Sequence, residues 1–118
     1  PRDLDKQNQV LFRWNPDILA WNHEWWPESE APYVQVDSTA LLTTFLTDPL
    51  HWAVCPASVA GYLSSHGLVE IHQFEIATPQ RICYLLKKRR PAGMHSESVD
   101  QFIDLFYRLL PTHPWRYE

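Results

Sequence analysis

The sequence predicts an α/β domain, and three observations carry that expectation. First, a short apolar run gives way three times to a helix-start signal within the first 67 residues. Val10-Leu11-Phe12-Arg13-Trp14 leads into Asn15-Pro16-Asp17, Tyr33-Val34-Gln35-Val36 into Asp37-Ser38-Thr39, and His51-Trp52-Ala53-Val54-Cys55 into Pro56-Ala57-Ser58. Second, the third run is apolar on both faces, as strands buried in parallel sheets tend to be. Third, 118 residues with 45% hydrophobic and 20% charged content suit one modest globular domain. In such a sheet the helix N-termini gather at the carboxyl ends of the strands, where ligands bind.

The first strand is expected at 9–14. Asn15 can accept from free N–H groups of the first helical turn. Pro16 suits a position whose N–H has no partner, and Asp17 complements the helix dipole. The helix carries Ile18, Trp21, Trp25 and Trp26 and stops at Pro27. A loop over 28–32 leads to a strand at 33–37. Asp37 or Ser38 caps the next helix, which places Leu41, Leu42, Phe45 and Leu46 on one face and ends at Asp48-Pro49. A strand at 51–55 precedes a helix from Pro56 to His66, with Val59, Tyr62 and Leu63 on one side and Gly67 as a left-handed cap.

Leu68–Ile76 reads as a further strand, Ala77-Thr78-Pro79 as a break, and Arg81–Lys87 as a strand. A loop over 90–95 leads to an amphipathic helix, Ser98–Leu110, with Val99, Phe102, Phe106 and Leu109 or Leu110 on its buried face. Ser98 and Gln101 have the spacing of a capping box. The tail 111–118 shows no pattern.

A net charge of -4 argues against a nucleic-acid-binding surface. The basic run Lys87-Lys88-Arg89-Arg90 reads as a solvated strand end. Cys55 and Cys83 lack metal or disulfide spacing and read as buried free thiols in a reducing compartment. The six histidines form no zinc motif. Ser58 follows a strand, but its flanks lack the glycines of a nucleophile elbow. The three glycines are too scattered for a phosphate loop. No catalytic residue, metal site or cofactor is therefore expected. No apolar run is long enough to span a membrane, and Pro1-Arg2-Asp3-Leu4-Asp5 is not a signal peptide.

Trp52-Ala53-Val54-Cys55-Pro56-Ala57-Ser58-Val59-Ala60, followed by Leu63 and Gly67-Leu68-Val69, resembles a stretch of the LysR-type transcriptional regulators. Arg81-Ile82-Cys83-Tyr84-Leu85-Leu86 resembles that family's following strand, and Val99-Asp100-Gln101-Phe102-Ile103-Asp104-Leu105 its closing helix. The resemblance covers about residues 2–110. It implies a type 2 periplasmic-binding-protein-like lobe: residues 1–76 as the second lobe of an effector-binding domain, 77–110 as the crossover and the C-terminal part of the first lobe, and 111–118 as a tail. It departs from the family at Thr47-Asp48-Pro49-Leu50-His51, where a glycine-containing turn is usual. The winged helix-turn-helix and the opening half of the first lobe are not in these residues, so a fragment of a longer regulator is expected.

The resemblance further implies a bacterial, cytoplasmic, homo-oligomeric protein, dimer or tetramer. A small-molecule effector would control DNA binding through a domain outside this chain. Trp14, Asn15, Ser38, Thr39, Cys55 and Pro56 are the candidate effector-binding residues, since they sit at the strand-to-helix junctions. Asn15 and Ser38 are equally explained as helix caps, and Trp21 and Trp25 as core packing. The alternatives are a small stand-alone α/β ligand-binding module and a flavodoxin-like enzyme.

Overall fold

Strand β1 (Val10–Phe12) is buried along its whole length because it has neighbours on both edges. On one side it pairs in parallel with β2 (Val34–Val36), in the register Val10–Val34, Leu11–Gln35 and Phe12–Val36. On the other side Gln9 forms a parallel bridge with Trp52. There Val10 N donates to Trp52 O at 2.8 Å and Trp52 N to Asn8 O at 3.2 Å. The computed structural model describes residues 1–87, 89 and 96–112, and the chain divides into two units, Pro1–Arg81 and Ile82–Glu118.

In the first unit, helix α1 (Pro16–Trp25) connects β1 to β2, and α2 (Thr39–Phe45) leads from β2 to the Trp52 segment. The spatial order is therefore β2, β1, Trp52 segment. Right-handed crossovers that move first one way and then back must place their helices on opposite faces. The packing agrees. Ile18, Trp21 and Trp26 bury themselves on one face, with Trp52, Val54, Phe74 and Ile76 against them. Leu42 of α2 and Leu63 of α3 (Ala57–Ser65) pack on the other, with Val10, Phe12 and Val36. The first unit is thus mixed α/β with a small parallel sheet.

The strand expected at 51–55 is reduced to the single bridge at Trp52. Its alternation survives all the same, since Ala53 and Cys55 face one cluster and Trp52 and Val54 the other. A longer ladder would in any case stop at Pro56, which has no N–H to give. The turn before it is made by Asp48: its carboxylate accepts from Leu50 N at 2.9 Å and its carbonyl from His51 N at 3.1 Å. Asp-Pro thus supplies the turn without glycine.

The two other expected strands are corrected. Residues 68–76 form none. Val69 reaches one cluster while Phe74 and Ile76 reach the other, so the apolar period breaks between them. Residues 81–87 also form none and are exposed throughout, Leu86 at 89%. No partner strand lies beside them among the described residues, so their β-rich composition has nothing to pair with. Cys83, expected to be buried, is exposed for the same reason.

Two apolar faces are narrower than expected. Leu41 and Tyr62 are exposed, and Leu42 and Leu63 alone fill the buried positions of α2 and α3. Tyr62 lies against His66 instead, with ring centroids 4.4 Å apart. Gly67, at φ 68°, closes α3 as expected. Its N–H donates to Ser64 O at 2.9 Å, and Leu68 N donates to Leu63 O at 3.1 Å, the two bonds of a Schellman cap.

In the second unit, α4 spans Ser96–Leu109 and runs into a 3-10 turn, Leu110–Thr112. It starts before Ser98, so Ser98 and Gln101 lie inside the helix rather than forming its cap. Lys87 pairs with Asp100. The stripe expected to be buried is largely exposed, with Phe102 at 60% and Leu109 at 56%. The expected loop at 90–95, most of the basic run's far end and the tail from 113 lie outside the described residues.

Candidate functional site

The register brings the three strand-to-helix junctions to one edge of the sheet. Phe12 is level with Val36, and Cys55, three residues beyond the Gln9–Trp52 bridge, packs against the cluster that contains both. Arg13 N still donates to Val36 O at 2.8 Å, so the chain leaves β1 beside β2 before turning into α1. Trp14, Asn15, Ser38, Thr39, Cys55 and Pro56 therefore follow three neighbouring strand positions.

Their individual roles differ. Asn15 Oδ1 accepts from Ile18 N at 2.8 Å and caps α1. Ser38 Oγ accepts from Leu41 N at 3.3 Å and caps α2 in an exposed setting. Thr39 is exposed at the first position of α2. Pro56 begins α3 with no side-chain cap. Its carbonyl accepts from Val59 N and Ala60 N at 2.9 and 3.0 Å. The first-turn N–H groups of Ala57 and Ser58 are thus left without a side-chain acceptor, at the positive end of the helix dipole.

Trp14 is half-buried and touches both apolar clusters, one from each face of the sheet. Its indole Nε1–H is buried and has no hydrogen-bond partner. Trp21 and Trp26, by contrast, donate to Ala77 O at 3.0 Å and Leu4 O at 3.4 Å. Cys55 packs against the Val10–Phe12 cluster, and burial pushes its thiol pKa up to about 11. It stays neutral at ordinary pH and is a poor nucleophile there.

This edge can therefore donate hydrogen bonds from the start of α3 to an acceptor-rich ligand. Among the described residues Cys55 is the one half-buried titratable group at this edge, and Asp17 and Asp37 beside it are exposed. No group of three or more potential metal ligands exists among the described residues. His23 pairs with Glu28 and His72 with Glu70, each at 3.3 Å, on exposed surface.

Sequence reasoning missed a second polar feature. Lys6, Gln9 and Asn22 are all buried, at 4%, 1% and 1% exposure. Gln9 Nε2 donates to Asn22 Oδ1 at 2.7 Å. A signal was present: Asn22 lies four residues after Ile18, inside the apolar stripe of α1. A polar residue at such a position needs a buried partner. A pocket of about 280 Å³ lies beside Lys6 and Asn22, on the α1 face of the sheet.

No protein-family model matches the chain, and searches of curated proteins and of solved structures find no similar protein. No helix among the described residues is long and apolar enough to cross a membrane.

Proposed function

We propose that the Pro1–Arg81 unit senses a small acceptor-rich molecule, such as a carboxylate, at the carboxyl edge of its sheet. In this reading it is the effector-binding lobe of a LysR-type transcriptional regulator, with a type 2 periplasmic-binding-protein-like fold. The observation that carries the proposal is the convergence of three helix starts at one edge, with α3 uncapped. The order β2–β1–Trp52 segment supports it, since a switch in connection direction beside β1 opens a crevice at that edge.

The ligand would accept from Ala57 and Ser58 N–H. Asn15 and Ser38 would hold the neighbouring helix starts in place. Binding acts as an effector only if it favours one arrangement of the protein over another. DNA contact and homo-oligomer formation belong to the same proposal and would draw on residues outside this edge. A flavodoxin-like enzyme shares the strand order and is separated by turnover of its ligand.

The test is a titration of the intact chain with a panel of small aliphatic and aromatic carboxylates, followed by backbone amide shifts. The expected result is saturable shifts confined to 14–17, 38–39 and 55–58. An absence of shifts at that edge across the panel would sink the proposal.

A further inference from the structure

A second pocket, independent of that reading, lies on the α1 face of the sheet, where the paired mid-strand residues Leu11 and Gln35 meet Asn22 of α1 and the loop before β2. Its volume is about 280 Å³, and Lys6, Asn22, His23, Glu28, Glu30 and Gln35 contribute to its lining.

Lys6 is unusual here. It is 4% exposed, yet no carboxylate among the described residues lies within ion-pair distance. Its Nζ sits 5.6 Å from the centroid of the Trp26 ring, within cation–π range. Burial lowers its pKa from the ordinary value, and the Glu30 carboxylate pushes it back up. The ammonium group has no carboxylate within 4 Å among the described residues, so an incoming anion can take that place.

Asn22 supplies a second donor. Its Oδ1 is held by Gln9, which leaves the amide Nδ2 buried with no acceptor; Gln9 Oε1 has no donor either. Lys6 and Asn22 thus both line the pocket, and each carries a donor group with no acceptor among the described residues. The rim has the opposite sign. Glu28 and Glu30 are exposed, and His23 pairs with Glu28 at 3.3 Å. A plain dianion would be repelled by two carboxylates facing one lysine. A molecule with both charges satisfies both ends, and the volume fits one smaller than a drug-sized ligand.

We propose that this pocket binds a small zwitterion of the α-amino-acid type, with its carboxylate at Lys6 and Asn22 and its ammonium group at Glu28 and Glu30. Binding depends on charge-assisted hydrogen bonds at both ends, so each half alone binds more weakly.

The test titrates the intact chain with glycine, L-alanine and L-serine, and with acetate and methylammonium as half-ligands, reading backbone amide shifts. The expected result is saturable binding of an amino acid with shifts at Gln9, Asn22 and Glu30. Acetate should bind about tenfold or more weakly, and Lys6→Met should weaken the amino acid by a similar factor. Glu30→Gln, an exposed change, should weaken the amino acid and, by removing a repelling carboxylate, leave acetate binding no weaker than before. The proposal is overturned if no amino acid gives saturable shifts at millimolar concentration, or if shifts appear only at 14–17 and 55–58. It is also overturned if acetate binds as well as glycine and Glu30→Gln changes neither. Should Lys6→Met fail to fold, as read by tryptophan fluorescence, the acetate comparison and Glu30→Gln decide alone.

Discussion

Asn15 and Ser38 make the same kind of bond in different surroundings. The Asn15 cap is part-buried and 2.8 Å long, whereas the Ser38 cap is exposed and 3.3 Å long. Asn15→Ala should therefore cost about 1–2 kcal/mol and Ser38→Ala about 0.5–1 kcal/mol, measured by urea denaturation. The reverse ranking would mean that burial does not strengthen these caps. Cys55 gives a pH test. Its folded pKa, about 11, lies above the ordinary 9.0, so the unfolded chain loses that proton first. The stabilisation from this thiol is complete below pH 9.0 and is lost as the pH rises through about 11. Burial acts on Lys6 with the opposite sign, because it disfavours the protonated form, and the cost is relieved as the pH rises. The stability difference between the wild type and Cys55→Ala isolates the thiol. That difference should shrink over this window, and a flat difference would contradict the assignment. At neutral pH iodoacetamide should modify the exposed Cys83 well before Cys55.

At the scale of elements, what could be read in the sequence depended on whether an element is defined locally. The start of α1 was legible because Asn15, Pro16 and Asp17 each act within one turn. The end of α3 was legible because only glycine sits easily at the φ of Gly67. The strands at 68–76 and 81–87 were misread because a strand is completed by its partner, which apolar periodicity does not encode. The stripe on α4 was likewise legible as a pattern, while its burial was not. Asn22 was passed over because its partner, Gln9, lies 13 residues away. Two glycines separate backbone from packing. A Cβ on either Gly61 or Gly67 meets nothing within 4 Å. Gly61 is inside α3, so Gly61→Ala should stabilise by about 0.5–1 kcal/mol. Gly67 has φ +68°, so Gly67→Ala should destabilise by about 1–2 kcal/mol. Thermal melts of the two variants should move in opposite directions; shifts of one sign would place the difference elsewhere than in the backbone.

At the scale of the whole molecule, the α/β class was legible from the repeated strand-to-helix pattern, whereas the division at Arg81 rests on contacts distant in sequence. Among the described residues, both apolar clusters and every sheet pairing lie within 1–81. Two indole bonds tie the beginning of this unit to its middle: Trp52 Nε1 donates to Asp5 O at 2.7 Å and Trp26 Nε1 to Leu4 O at 3.4 Å. A third ties its end, since Trp21 Nε1 donates to Ala77 O at 3.0 Å while Phe74 packs edge-on against the Trp21 ring, with centroids 5.5 Å apart. A fragment ending at Arg81 keeps all of these, and a fragment ending at Gln73 loses Phe74, Ile76 and the Trp21 bond together. Phe74 and Ile76 are each half-buried, but losing both together with the indole bond should cost about 3 kcal/mol or more, a large share of the stability of a domain this size. The fragment 1–81 should therefore unfold cooperatively in urea, with native tryptophan fluorescence, while 1–73 should have little or no cooperative transition. Equal stability of the two fragments would show that residues 74–81 do not belong to the first unit. An unfolded 1–81 would show that the first unit draws its stability from residues beyond Arg81.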